Sequence, residues 1–259
     1  MLPLLAGIAL TLCTYNTWGK PGVLGTDQIH RFGLIGPAIR PYDIVNLQET
    51  FTDQWHQIEA ASGFPFQHHE SNEDRLHLSG GLYSLSKFPI VRHDAVQFTQ
   101  GATWDRFAHK GVLFVRLQVP GLGRLDVYNT HYQAERAYGA IRIHDNEVLA
   151  AFVKAHDEGN PTLLMGDFNM LPGSPEHLDL VQRLHPIDAW ATAHPNDPGF
   201  TSTPANPNVE RDDRPERIDY IHVLPGPRCK ITVEDARLAF TDPVMSDHYG
   251  VTARIRFSR

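Results

Sequence analysis

The side chains able to do chemistry in this 259-residue chain gather where apolar runs stop. The run at 8–15 ends in Asn16, and the run at 44–47 leads into Gln48-Glu49. The run at 125–129 continues into Thr130-His131, and that at 162–165 into Gly166-Asp167-Phe168-Asn169. Two more segments hold Asp219, in Arg-Ile-Asp-Tyr, and Asp247-His248, in Ser-Asp-His. A buried, isolated carboxylate is expensive or takes up a proton. Several such groups at strand ends cost less if they converge on one another and on a cation. Oxygen donors without paired cysteines favour a hard ion, Mg2+ first, with Mn2+ or Ca2+ as alternatives. A centre of this kind gives a cation to withdraw charge, a base to activate water and donors for growing negative charge. Glu49 is the expected primary metal ligand, with Asn16 close to the metal or to a phosphate oxygen. His248 is the candidate general base, since an imidazole titrates near neutrality.

Singly, each residue has a plainer reading. Asn16 suits a turn, Glu49 the start of a helix cap, Gly166-Asp167 a tight turn, His131 a satisfied buried imidazole and Asp219 a partner for Arg217. Six such residues in order, each beside a buried strand, are poorly explained by coincidence.

Elements must position these groups. Residues 8–15, 44–47, 81–86, 111–119, 125–129, 162–165, 217–223 and 251–257 read as strands. Consecutive apolar positions in several of them predict burial on both faces. Thr52 can cap a short helix carrying Trp55 and Ile58. A longer helix over 138–156 is expected to turn Ile141, Val148, Phe152 and Ala155 inward and to stop at Gly159-Asn160-Pro161. Ser174-Pro175 is an N-cap and first-turn pair for a third, with Leu178, Val181 and Leu184 inward. Many strands and few helices predict an α/β sandwich of two packed sheets with helices on the outer faces. The segment 191–217, with five prolines, reads as a long ordered loop of the kind that carries function. No linker divides the chain, so residues 1–259 read as one domain.

Composition excludes several classes. Apolar residues at 41% and charged residues at 20% argue against disorder and coiled coil. A formal net charge of −7 argues against a broad basic face for nucleic acid. Cys13 and Cys229 are too few for a disulfide framework. The apolar stretch at 1–13 is too short to span a bilayer and lacks a basic start, so a soluble protein is expected, its compartment undetermined.

The ordered segments 14–18, 47–49, 129–131, 166–169, 217–220 and 246–248 resemble the motifs of the endonuclease/exonuclease/phosphatase superfamily, whose deoxyribonuclease-I-like fold is a four-layer sandwich with two mainly antiparallel sheets. The likeness runs from about Leu10 to the C-terminus. The stretch 79–90, the segment 110–113, the segment 130–135 with Arg142 and Glu147, and the loop 199–204 with Asn206 resemble the neutral sphingomyelinase branch. The resemblance implies that Asp219 orients His248, that Asp247 lies near the metal, and that Asp167 and Asn169 hold the attacking water and a non-bridging oxygen. His131 would donate to the phosphate or assist the leaving oxygen. It implies a Mg2+-dependent phosphodiesterase of the phospholipase C type, acting as a monomer on sphingomyelin or a related phospholipid with transient membrane-surface contact. A deoxyribonuclease-like endonuclease with nucleic acid as substrate is the main alternative, then an inositol-phosphate phosphatase, then a binding protein that lost catalysis.

Three other features carry less weight. His68-His69 with His77 could suggest zinc, but no metalloprotease-type helix is present, and neighbouring Glu70, Glu73 and Asp74 read as a solvated loop. Trp104-Asp105-Arg106-Phe107 reads either as a loop gripping membrane or substrate or as an aromatic anchor on the sheet. Arg106 and Lys110 are candidates to face phosphate.

Overall fold

A computed structural model describes residues 7–20, 27–70 and 77–258. Side-chain alternation along its strands decides the architecture. The first sheet runs in the order β11 (Lys230–Ala239), β12 (Gly250–Ser258), β1 (Ile8–Asn16), β2 (Ile44–Gln48), β4 (Tyr83–Ser86) and β3 (Phe66–His69). The second runs β5 (Ile90–Gln97), β6 (Gly111–Val119), β7 (Gly123–His131), β8 (Thr162–Asp167), β10 (Asp219–Leu224) and β9 (Ile187–Asp188). Neighbours are antiparallel except β1 with β2 and β7 with β8.

One parity of each inner strand faces the other sheet. Leu10 and Leu12 of β1 meet Val115, Val127, Leu163, Met165 and Ile221 in the seam between the sheets. The opposite parity packs outward. Cys13, Tyr15, Val45 and Leu47 lie under Phe32, Ile35 and Ile39 of α1 (Gln28–Ile39) and Ile58 of α2 (Trp55–Ser62). Val112, Phe114, Tyr128 and Leu164 lie under Leu149 of α3 (Gly139–His156) and Leu180 of α4 (Pro175–Leu184). A short α5 (Ala189–Ala193) follows β9. The result is the expected four-layer sandwich.

The same parity carries polar residues to one rim of the seam. Asn16 follows Leu10, Leu12 and Thr14; His131 follows Val127 and Asn129; Asp167 follows Leu163 and Met165. Because β10 is antiparallel to β8, its first residue, Asp219, pairs with Asp167. Because β12 is antiparallel to β1, its start also reaches that rim, just after His248.

Several expectations need correction. The buried face of α3 is largely polar: Arg142, Asp145, Asn146, Leu149 and His156 are inward and Ala155 is exposed. Helix α4 buries Glu176 and Leu180, whereas Leu178 is 57% exposed. Ser174 does cap it, accepting from the His177 amide. Thr52 makes no side-chain cap on α2; its hydroxyl goes to Gln28. Helix α1 went unread because Gly33, Gly36 and Pro37 disfavour helices. Gly36 earns its place through packing, since a Cβ there would come within 2.7 Å of that of Ala61 on α2. Glu70 is buried rather than solvated, and burial pushes its carboxyl up to about 7. Glu73, Asp74 and residues 1–6 of the apolar leader lie outside the described residues. No described helix is long and apolar enough to cross a membrane.

Candidate active site

Asn16 ends β1, and its Nδ2 donates to Glu49 Oε1 at 3.0 Å and to Asp167 Oδ2 at 3.0 Å. One amide thereby ties a residue just past β2 to the end of β8, across the two sheets. Its Oδ1 accepts from the Trp18 amide, so Asn16 faces the carboxylates as a donor, close to where a metal or a phosphate oxygen is expected. Trp18, Glu49 and Asn169 all have φ between 50° and 57°, a left-handed conformation that is costly for side chains of this size. The backbone leaves its extended path at these positions, and Glu49 and Asn169 face the rim while Trp18 lies against Arg31. Arg31 helps to hold this turn, donating to the carbonyls of Thr17, Trp18 and Met245.

A second set comes from the other strand ends. His248 Nδ1 lies 2.8 Å from Asp219 Oδ2, and its Nε2 is 3.9 Å from Asp167 Oδ2. His131 Nε2 lies 3.5 Å from Asp167 Oδ2 and 4.0 Å from Glu49 Oε1. Asn169 closes the loop after β8, its amide N–H donating to Asp167 Oδ1 and its side chain to the Tyr132 carbonyl. Asp247 is half-buried, and its Oδ1 accepts from Ser246 at 3.2 Å. All eight residues expected in the site thus meet at one rim.

Electrostatics follow from crowding. Burial and then Asp247 raise the Glu49 carboxyl above its usual range. Burial and then Asp219 push Asp167 up to about 7. Burial alone would lower the His248 pKa, but Asp219, Asp167 and Asp247 outweigh it and hold the pKa well above the ordinary value. His131 goes the other way, held well below by burial and by the Lys110 ammonium.

The donor set fits a hard cation. Glu49 Oε2 and Asp219 Oδ1 are buried without a hydrogen-bond partner. Asp167, Asp219 and His248 offer ligand atoms within 4.8 Å of one another. Asp219 Oδ2 and His248 Nδ1 are committed to each other, and Glu49 and Asp167 are the carboxylates best placed to hold an ion.

Lys110 is the more informative of the two expected phosphate-facing cations. Its Nζ is 2.9 Å from each of His131 Nε2, the Tyr132 carbonyl and Asp105 Oδ1. Arg106 instead stacks on Phe107 and is exposed. Trp104, 77% exposed, does not anchor its loop; Asp105 does, through Lys110 and the Ala134 amide. The three histidines considered for zinc take separate partners: His68 stacks on His93, His69 on Trp55 and His77 on His109.

Sequence reasoning did not single out the polar layer beneath the site. Gln48 donates to Asn129 Oδ1 at 2.7 Å, while Asn129 donates to the Leu47 and Tyr83 carbonyls. The long loop contributes Thr201, whose hydroxyl accepts from the Ile218 and Asp219 amides, and Asn206, which donates to the Ser246 carbonyl. Gln48 stands out at the end of its apolar run, but its pairing with Asn129, which reads as an ordinary strand residue, shows only once the partners across the seam are known.

The chain is similar to known proteins along most of its length. The model of the Endonuclease/Exonuclease/phosphatase family matches residues 13–248. A sphingomyelinase of Mycobacterium bovis is 26% identical over 83% of this chain and 45% of its own length. A Drosophila melanogaster relative is 27% identical over 96% of this chain and 61% of its own. The chain therefore spans less than two thirds of these relatives. Staphylococcus aureus beta toxin, in a mutant crystallised with bound magnesium ions, superposes with a TM-score of 0.75 at 22% identity, covering 97% of this chain and 100% of the toxin chain. Truncated Caenorhabditis elegans TDP2 gives 0.74 at 20%, covering 98% and 100%. At these identities the structural likeness speaks for the fold alone.

Proposed function

The chain belongs to the Endonuclease/Exonuclease/phosphatase family, and from that premise we propose that it is a metal-dependent phosphodiesterase of the neutral sphingomyelinase, phospholipase C, type. The observation that carries the chemistry is the His248–Asp219 pair at 2.8 Å, whose free Nε2 faces Asp167. The relatives named above favour a sphingolipid substrate over nucleic acid. On sphingomyelin the products would be ceramide and phosphocholine.

His248 Nε2 takes the proton of the attacking water as it adds in line at phosphorus. Asp219 accepts from Nδ1–H, fixing the tautomer and stabilising the imidazolium that forms. Asp167 and Asn169 hold the water and a non-bridging oxygen, and Asn16 Nδ2 keeps Glu49 and Asp167 together. Glu49 and Asp167, with Asp247 nearby, would hold a divalent cation, Mg2+ by preference. Bound there, the ion would supply positive charge that polarises the phosphate and offsets the carboxylates crowding His248. His131 Nε2 accepts from Lys110 in this arrangement, so its donation to a leaving oxygen requires Lys110 to withdraw or to pass on a proton. Exposed Trp104 supports a transient contact with a lipid surface, where an indole sits well.

The test is Mg2+-dependent product release from sphingomyelin micelles and from supercoiled plasmid, side by side, with His248→Ala as blank. Phosphocholine release with intact plasmid supports the proposal. Nicked plasmid with untouched lipid overturns the substrate and keeps the site.

A further inference from the structure

The loop 191–217 gives Thr201 and Asn206 to the site, yet most of its first ten residues border something else. With Leu171 and Pro172 beyond β8 and Trp190 of α5, they wall a cavity of about 550 Å³. This lies within the range for small-molecule sites. The wall is preformed. Trp190, 6% exposed, donates its indole N–H to the Asp197 carbonyl at 2.9 Å and packs against His194 at 4.6 Å. The backbone at Gly199 rests on that indole with φ at 63°, where a Cβ would come within 2.2 Å of the ring. Phe200 follows, and its ring is 37% exposed.

The charged side chains on this wall already have partners. Arg217 pairs with Asp188 at 2.7 Å, Glu216 pairs with Arg136, and Asp197 accepts from the Gly199 amide. His194 Nε2 lies 2.7 Å from the Ala236 carbonyl. The rest is mainly leucine, proline and aromatic surface, which favours an uncharged apolar ligand. Position narrows the choice. Leu171 is two residues past Asn169, and Arg217 is two before Asp219, so the backbone of the wall begins within about 8 Å of both. Phe200 precedes Thr201, whose hydroxyl accepts from the Asp219 amide. A cavity of similar size, about 570 Å³, touches Leu224 at the opposite end of β10, about 17 Å from Asp219. The catalytic rim itself is built of carboxylates and imidazoles, which offer a hydrocarbon chain no apolar contact.

We infer that the cavity walled by Trp190 and Phe200 receives one hydrocarbon chain of the substrate's leaving group, drawn out of the lipid surface beside the reacting phosphate. The chain exchanges water for apolar wall, and the polar end of the same molecule stays at Asn169 and Asp219. The inference rests on the sphingomyelinase reading and names the part of the substrate recognised beyond the phosphate.

The experiment uses soluble sphingomyelin analogues with N-acyl chains of increasing length, each below its micelle concentration, and a bis-aryl phosphodiester that has no chain. Wild type is compared with Ala191→Phe, which fills the cavity from an exposed position on α5, and with Phe200→Ala, which removes apolar wall. In wild type each added methylene should raise kcat/KM up to about fourfold, through KM, until the cavity is full. Both variants should flatten that rise and lose at least about tenfold on the longest chain, with a much smaller change on the bis-aryl substrate. A brominated alkyl maltoside should quench Trp190 saturably, read as the difference between wild type and Trp190→Phe, and Ala191→Phe should abolish the quenching. A chain-length rise that survives both substitutions, or no rise in a wild type that hydrolyses every analogue, would overturn the inference. Saturable quenching of Trp190 that Ala191→Phe abolishes, in a protein that leaves every analogue intact, would overturn the substrate reading and keep the apolar site.

Discussion

His248 and Asp219 make their 2.8 Å contact across the seam between the two sheets. His248 leads into β12 of the first sheet, and Asp219 opens β10 of the second. Asn16 and Asp167 repeat the relationship at 3.0 Å. Neither sheet alone carries the centre, so the inter-sheet core that fixes their separation also fixes the chemistry.

Loss of the base gives the first prediction. His248→Ala should lower turnover by about 10²–10⁴-fold or more while the protein stays folded by circular dichroism. A folded variant with near wild-type turnover would remove His248 from this role.

Glu49→Gln should act through the metal. A neutral amide holds a hard cation less well. The Mg2+ titration midpoint should rise, and high Mg2+ should restore part of the activity. An unchanged titration curve would exclude Glu49 as a ligand.

Asp167 predicts a pH effect on stability. Its carboxyl sits at about 7 in the folded protein, against an unfolded value near ~3.9. A group raised in this way contributes stability below its unfolded pKa, and that contribution is lost as pH climbs through about 7. In chelator-treated protein, Asp167→Asn should therefore flatten the fall in Tm between pH 5 and pH 8, at about 2–4 °C per kcal/mol recovered. Thermal scans at the two pH values decide it, and parallel falls in both proteins would contradict the assignment.

The layer beneath the site should matter for stability. Asn129→Ala leaves Gln48 and the Leu47 and Tyr83 carbonyls without their partner, at about 1–3 kcal/mol for each buried group stranded. A Tm drop of less than about 2 °C would mean that the seam repacks around the loss.

Trp104→Ala should separate surface contact from chemistry. Activity on micellar sphingomyelin should fall several-fold, while hydrolysis of a soluble bis-aryl phosphodiester is retained. Equal loss on both would argue against a lipid contact.

The sequence by itself determined the eight inner strands and the residues at the rim. Inner strands are buried on both faces, so their apolar runs stand out, and Asn16, His131, Asp167 and Asp219 interrupt them conspicuously. The four strands it left unread, β3, β5, β9 and β11, are the outer members of the two sheets. They are half-solvated and carry mixed side chains, as in the largely exposed β5, so no periodic signal remains. The helix faces went wrong for a related reason. Arg142, Asp145 and Asn146 look like solvent residues until Glu176, Gln133 and Asp179 are brought over them. Tertiary structure alone decided which carboxylate pairs with which imidazole, that Asn16 faces the site as a donor, and that Lys110 rather than Arg106 reaches His131. Those choices depend on register and on contacts across the seam, which join positions as far apart in the chain as Asn16 and Asp167.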